Sequence, residues 1–244
     1  MLYKEFRAAG PKYLTITFGY VLVGLLVSTL FGPYRNFPSS TIFHTWVQWI
    51  LFITIGAAIL GGADTIAEEN GKSTLSFLLT RPISRTRVYA VKFLVSAACL
   101  TAILVTTSLV MFLVEQLPQR FKTTQVMLNG DVVESSFDLE KMPAGVAFSC
   151  NVVILGIGLE VLALTTRISI FSGSTTNTIV TTILVGFGLI AIYAFTDLLF
   201  SISYRINRIF DIYHGLGLGD FFVLLALAVG LYWYGLKIFK AKEF

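Results

Sequence analysis

The sequence predicts an all-α integral membrane protein that forms a single domain over residues 1–244 and crosses the membrane six times. Of the 244 residues, 55% are hydrophobic and only 13% are charged. A soluble domain of this size carries about a quarter charged residues, so the deficit excludes an ordinary soluble fold. The third observation is that six mostly apolar runs are each long enough to cross the hydrocarbon core of a bilayer as a helix.

The six predicted spans are separated by short polar or basic segments. They are Tyr13–Phe31, Trp46–Ala63, Val88–Val114, Ala144–Leu164, Ile179–Phe200 and Phe221–Phe239. Backbone polar groups in lipid must be satisfied within their own segment, so these runs should be helices. Six spans place both termini on one side, and that side holds twelve Lys and Arg residues against six on the other. The positive-inside rule therefore predicts a cell (plasma or inner) membrane protein with both termini cytoplasmic.

The same distribution explains the net charge of +4. Basic residues that lie between apolar runs indicate membrane topology and contact with anionic lipid. We therefore expect no nucleic-acid partner.

Two smaller elements are predicted outside the spans. Residues 1–12 have apolar side chains at helical spacing with basic residues among them, which is typical of an amphipathic helix at the membrane interface. The outer loop, residues 115–143, contains Asn129-Gly130 between two β-prone runs. This dipeptide is a strong signal for a β-hairpin, so we expect a small extracytoplasmic hairpin in this loop.

The cytoplasmic loop Asp64–Arg87 is the most informative part of the chain. After two adjacent acids and a glycine, Ser73 or Thr74 can cap a short helix whose side chains are mainly apolar. Pro82 ends this helix because it disfavours the helical conformation of the preceding residue. A surface helix with mainly apolar side chains can bind in a groove on another protein. The alternative is that it packs on the chain's own helix ends.

This loop resembles the corresponding loop of type-2 ATP-binding-cassette (ABC) transporter permeases. The matching residues are Glu68-Glu69, Gly71-Lys72-Ser73-Thr74-Leu75, Leu78-Leu79-Thr80-Arg81-Pro82-Ile83-Ser84-Arg85 and Lys92. The opening Lys4-Glu5-Phe6-Arg7 is similar to the start of that family, and so is the layout of six spans with a large outer loop after the third. Members of the family often have Glu where this chain has Ser76.

The resemblance implies that the loop carries a coupling helix, which docks on a separate ATPase subunit and transmits its ATP-driven closure to the spans. It implies that the ATPase contact is made by Glu68, Glu69, Leu75, Phe77 and Leu78, with Arg81 and Arg85 at its rim. The chain would be the permease subunit of an exporter for an amphipathic or hydrophobic substrate, such as a peptide, an antibiotic or a lipid-like molecule. It would pair with a second permease chain, identical or related, while ATP and Mg bind to the partner ATPases.

The sequence offers no catalytic or cofactor-binding site of its own. Gly71-Lys72-Ser73-Thr74 looks like the end of a phosphate-binding loop, but position 66 is Ile where that motif needs Gly. The only histidines are His44 and His214, both predicted outside the spans, so a His-dependent hydrolase or metal site is not expected. We therefore expect that the chain is not an enzyme.

Two alternatives remain open from the sequence. Glu160 is the one acid well inside a predicted span, and it either lines a transport path or has a structural role. The chain could also be a membrane sensor or immunity protein that transports nothing and binds a ligand through its outer hairpin.

Overall fold

The structure is a computed structural model, and it describes residue 7 and residues 10–19, 21–22, 39–71, 84–116, 124–128, 131–135, 144–200 and 218–241. These ranges contain five long helices. They are α1 (Ser39–Gly71), α2 (Arg85–Gln116), α3 (Ala144–Phe171), α4 (Thr175–Phe200) and α5 (Leu218–Ala241). Residues 10–19 are also helical and form what is called here the N-terminal segment.

Four of the helices contain a stretch long and apolar enough to cross a membrane. These stretches are Ile50–Ala67, Arg85–Val110, Phe148–Phe171 and Phe221–Ala241, in α1, α2, α3 and α5. The predicted second, third, fourth and sixth spans are thereby confirmed as apolar helices of spanning length. The apolar part of α4 within the described side chains is shorter, Thr175–Leu189, and most of the first predicted span lies outside the described residues. A helical membrane protein is thus established, while the number six stays a prediction.

Two helices extend well beyond the predicted ends of their spans. The second span was predicted to end at Ala63, but α1 continues to Gly71, and α3 continues past Leu164 to Phe171. Helical backbone hydrogen bonding continues past the residues at which the predicted spans end, and in α3 the apolar stretch itself extends to Phe171. Glu68 and Glu69 therefore belong to the last turns of α1, and the segment that connects α1 to α2 is shorter than the predicted loop Asp64–Arg87.

Helix α3 occupies the centre of the bundle, where it contacts α1, α2, α4 and α5. Glycines allow this close approach, as the repeated small residues in the sequence indicate. At Gly158 an added Cβ would lie 2.6 Å from Cγ2 of Thr54, and at Gly62 it would lie 2.7 Å from Cβ of Thr165. Any larger residue at these two positions would push the helices apart.

Buried hydroxyl groups are satisfied mainly by the backbone of their own helix. Thr54, Thr107 and Thr166 each donate to the carbonyl four residues earlier, at 2.7 Å. Side-chain bonds also join α3 to its neighbours. Ser108 of α2 donates to Oδ1 of Asn151 in α3 at 2.6 Å, and the hydroxyl oxygens of Thr65 in α1 and Ser169 in α3 lie 3.4 Å apart. Such bonds stabilise helix pairs modestly in a membrane.

Two short strands lie between α2 and α3. Thr124–Leu128 (β1) and Asp131–Ser135 (β2) pair antiparallel, with Leu128 opposite Asp131. The register leaves two residues, 129 and 130, between the strands, which is the loop length expected for a hairpin with Asn-Gly at its turn. The strands lie where the sequence predicts the hairpin, and the end of the bundle nearest to them is called here the hairpin end.

Candidate functional site

The opposite end of the bundle, where α1 ends at Gly71 and α2 begins at Arg85, is called here the loop end. The predicted coupling residues Leu75, Phe77, Leu78 and Arg81 lie outside the described residues. Glu68 and Glu69 lie on α1 immediately before this segment, but their side chains are also outside the described part. The candidate site therefore consists of the residues that pack around the end of α1 and the start of α2.

Both ends of the segment are anchored in one apolar cluster. Ile66 on α1 and Tyr89 on α2 pack with Ile170 on α3 and with Leu236 and Phe239 on α5. This basal cluster brings together four helices at the loop end. Ile66, Tyr89, Ile170 and Phe239 are at most 1% exposed, so the cluster is a close-packed piece of core that deforms little.

Tyr89 is the centre of the basal cluster. Its ring centroid lies 5.3 Å from that of Tyr232 and 5.5 Å from that of Phe239, and Phe93 contacts Tyr232 at 4.7 Å. These centroid separations are in the favourable range for aromatic pairs. Four rings therefore form the seam between α2 and α5 at the loop end.

Gly235 on α5 provides the space for the Tyr89 hydroxyl group. An added Cβ at position 235 would clash with this oxygen, and it would also lie 3.6 Å from Cβ of Arg167. The hydroxyl is buried and has no hydrogen-bond partner among the residues that the structure describes. A buried hydroxyl without a partner is costly, which indicates that the fit of the ring matters more here than the polar group.

Arg85 is bonded to the last helix of its own chain. Its Nη1 donates to the carbonyl oxygen of Lys240 at 3.2 Å. The last carbonyls of a helix have no partner within that helix, so the guanidinium caps α5 while it begins α2. The resemblance placed Arg85 at the rim of an ATPase contact, and the structure places it beside the basal cluster as a second link between α2 and α5.

The N-terminal segment is attached to α1 at the same end. Nζ of Lys12 lies 2.9 Å from Oδ2 of Asp64, with both side chains partly exposed. One residue further along, the Tyr13 ring is buried and its hydroxyl lies directly against Gly61. The polar pair and the buried ring together fix residues 12 and 13 to the helix that enters the coupling segment.

Positive charge is concentrated at the loop end. Seven basic residues lie in the terminal turns there, namely Lys12, Arg85, Arg87, Lys92, Arg167, Lys237 and Lys240. In the described residues of the hairpin end there is no Lys or Arg, while Glu115, Asp131, Glu134, Asp197 and Asp220 are found there. Within the part of the chain that the structure describes, the basic residues are therefore concentrated at one end of the bundle.

Glu160 lies on α3, about two turns before Arg167. Its side chain is half-buried, and it makes no hydrogen bond or ion pair with any residue that the structure describes. Arg167 instead places its guanidinium carbon 4.3 Å from the centre of the Tyr234 ring. The structure does not pair Glu160 with Arg167, and it leaves the role of Glu160 open.

Sequence reasoning predicted a coupling segment between α1 and α2, but it did not single out the residues that pack at the two ends of that segment. Tyr89, Phe239 and Gly235 lie in predicted spans, where an aromatic residue or a glycine is unremarkable. The partial signal was the density of aromatic residues at Tyr232, Trp233 and Tyr234 near the loop end. Only the structure brings the Tyr232 ring against Tyr89.

Comparison with known proteins gives a family and no activity. The family described as "Protein of unknown function (DUF2705)" matches residues 29–215, about three quarters of the chain. No curated protein and no solved structure is detectably similar to the chain.

Proposed function

Since this chain belongs to the DUF2705 family, whose function is unknown, we propose that it is the membrane-spanning permease subunit of an ABC transporter. Its substrate would be amphipathic or hydrophobic, such as a peptide, an antibiotic or a lipid-like molecule, and transport would run outwards. A separate ATPase subunit would bind ATP and Mg and dock on the coupling segment around residues 72–83. Two permease chains, identical or related, would form the substrate pathway between them.

The basal cluster is the observation that carries this proposal. A coupling element must transmit a push from a soluble partner to several spans at once, which requires rigid contact at its base. Ile66 and Tyr89 stand at the two ends of the segment and belong to one close-packed cluster with residues of α3 and α5. A displacement of the segment would therefore move four helices together, because packed cores shift as units and do not deform continuously.

The charge asymmetry supports a cytoplasmic position for the coupling segment. Seven basic residues lie at the loop end, and the described part of the hairpin end contains none. By the positive-inside rule the loop end faces the cytoplasm, where a nucleotide-binding partner would be available. The hairpin β1–β2 would then lie on the outer side, and six spans would place both termini inside.

Glu160 is our candidate for the transport path. A half-buried carboxylate in a spanning helix with no partner among the described residues is costly in lipid. A position beside a polar pathway at a dimer interface would lower that cost. The second hypothesis, a membrane sensor or immunity protein that binds its ligand through β1–β2, assigns no such role to Glu160.

The proposal is tested by the double variant Leu75→Asp with Phe77→Asp. The full chain is purified together with a co-expressed ATPase encoded beside it, and the bound ATPase is quantified. Two charges in an apolar contact should reduce the bound ATPase at least tenfold, since burying each unpaired carboxylate is strongly unfavourable. Undiminished binding would refute the docking assignment.

The matched control is the double variant Met127→Asp with Val132→Asp, which changes one cross-strand pair of the hairpin. We expect this variant to retain the ATPase fully, because it lies at the other end of the bundle. If the hairpin variant alone changes the behaviour of the protein, for example by abolishing binding of an extracellular ligand, the sensor hypothesis replaces the transporter.

A further inference from the structure

Two basic residues lie where α3 packs against α5, a contact called here the α3–α5 seam, and the coupling role does not use them. Arg167 on α3 and Lys237 on α5 both lie four residues before the end of their helix at the loop end. At 1.5 Å per residue they are about 6 Å from the helix ends. Both cations therefore lie about one turn from the loop end of the bundle.

The two cations have no carboxylate partner within the described ranges. Among the residues that the structure describes, neither Arg167 nor Lys237 makes an ion pair or a hydrogen bond through its side chain. The guanidinium of Arg167 lies over the ring of Tyr234, with 4.3 Å from its central carbon to the ring centre. Because Tyr234 and Lys237 are three residues apart on a helix, their side chains are neighbours on one face. The seam thus presents two positive charges about one aromatic ring.

An apolar strip continues from these charges toward the middle of the membrane. Val223, Leu227, Gly230, Tyr234 and Lys237 recur at spacings of three and four, so they share one face of α5. Each of them is exposed, and an added Cβ at Gly230 would meet no atom within 4 Å. The face therefore has a shallow gap at Gly230, with apolar side chains beyond it.

We infer that this seam binds one anionic phospholipid, whose phosphate contacts Arg167 and Lys237 and whose acyl chain lies along the α5 face past Gly230. Charge complementarity selects the headgroup, because basic pockets between helices at the membrane surface bind anionic lipids. The combination of a charged end and an apolar strip selects a lipid over a soluble anion. Tyr234 holds the guanidinium in place through its ring.

The test measures binding of phosphatidylglycerol to the purified full chain in a neutral detergent, with phosphatidylcholine as the zwitterionic comparison. The double variant Arg167→Gln with Lys237→Gln should weaken phosphatidylglycerol binding about thirtyfold, and each single variant about fivefold. The conservative variant Arg167→Lys should keep most of the affinity. Binding of phosphatidylcholine should be weak in every case.

The matched control is Arg87→Gln, which removes an exposed and unpaired cation from the same end of the bundle, on α2. It should change the affinity less than twofold. An equal loss in Arg87→Gln and in the double variant would overturn the inference, since it would show a general attraction of the basic end. Competition by millimolar inorganic phosphate would also overturn it, because the ligand would then be a soluble anion.

A second measurement covers the case in which the double variant does not fold. Phosphatidylglycerol with a photoreactive headgroup is added to the unaltered chain, and the labelled peptides are identified by mass spectrometry. Labels within 164–171 and 230–241 support the site. Labels spread over all helix ends, or absent from these two peptides, refute it.

Discussion

The contact between Gly235 and Tyr89 allows a quantitative test of the seam between α2 and α5. In Gly235→Ala the new methyl group would overlap the Tyr89 hydroxyl oxygen. Tyr89 is fully buried and is held by Tyr232 and Phe239, so it has little freedom to move. Overpacking of a well-packed core costs about 1–3 kcal/mol. At about 2 kcal/mol, the melting temperature of a chain of this length should fall by about 4–8 °C.

A second substitution, Tyr89→Phe, should restore the stability that Gly235→Ala removes. Tyr89→Phe removes the hydroxyl, and the nearest atoms to the new methyl group would then be Cζ of residue 89 at 3.4 Å and Cβ of Arg167 at 3.6 Å, both ordinary contacts. The double variant should therefore recover most of the lost stability. Tyr89→Phe alone should be neutral or stabilising, because the hydroxyl it removes is buried without a partner in the described part of the chain.

Gly230→Ala is the matched control, since it lies on the same helix with no atom near an added Cβ. This variant should be neutral or more stable by about 0.5–1 kcal/mol, because Ala is a better helix former than Gly. Thermal unfolding of the purified proteins, followed by loss of the monodisperse peak in size-exclusion chromatography, measures all four variants. Equal stability of Gly235→Ala and Gly230→Ala, or no rescue by Tyr89→Phe, would refute the proposed packing.

Three further outcomes are expected. Lys12→Gln should lower stability by less than about 1 kcal/mol, and salt should mask the difference in thermal unfolding, because the pair with Asp64 is exposed; a larger loss that salt does not alter would contradict this. Ser108→Ala should lower it by about 0.6 kcal/mol through loss of the interhelical bond, whereas Thr106→Ala, whose hydroxyl bonds only within its own helix, should change it less; the reverse order would contradict the role of that bond. Glu160→Gln should leave expression unchanged and reduce substrate-stimulated ATP hydrolysis in the reconstituted complex; unchanged hydrolysis would remove Glu160 from the transport path.

The sequence predicted what depends on composition and local signals. Long apolar runs predicted four helices that the structure contains, and the Asn129-Gly130 pair predicted a hairpin where β1 and β2 are found. Glycines such as Gly158 indicated close helix packing, and the structure brings Thr54 against this residue. These features are encoded within a few residues of one another, so a single sequence reveals them.

The parts that escaped prediction depend on contacts between distant residues. Hydropathy placed the end of the second span at Ala63, because it does not register the helical turns that continue through polar residues to Gly71. Nothing local indicates that Arg85 bonds to the carbonyl of Lys240, which is 155 residues away. No local sequence pattern indicates the fit of Tyr89 against Gly235 either, because this fit depends on how α2 and α5 approach each other.

The central claim is that the segment between α1 and α2 contacts an ATPase. The most direct measurement places a photo-crosslinking amino acid at position 77 of the full chain, in cells that also express the ATPase, with position 127 in the hairpin as the comparison. The account predicts a crosslink to the ATPase from position 77 and none from position 127. Crosslinks from position 77 that form only within the chain itself would contradict it.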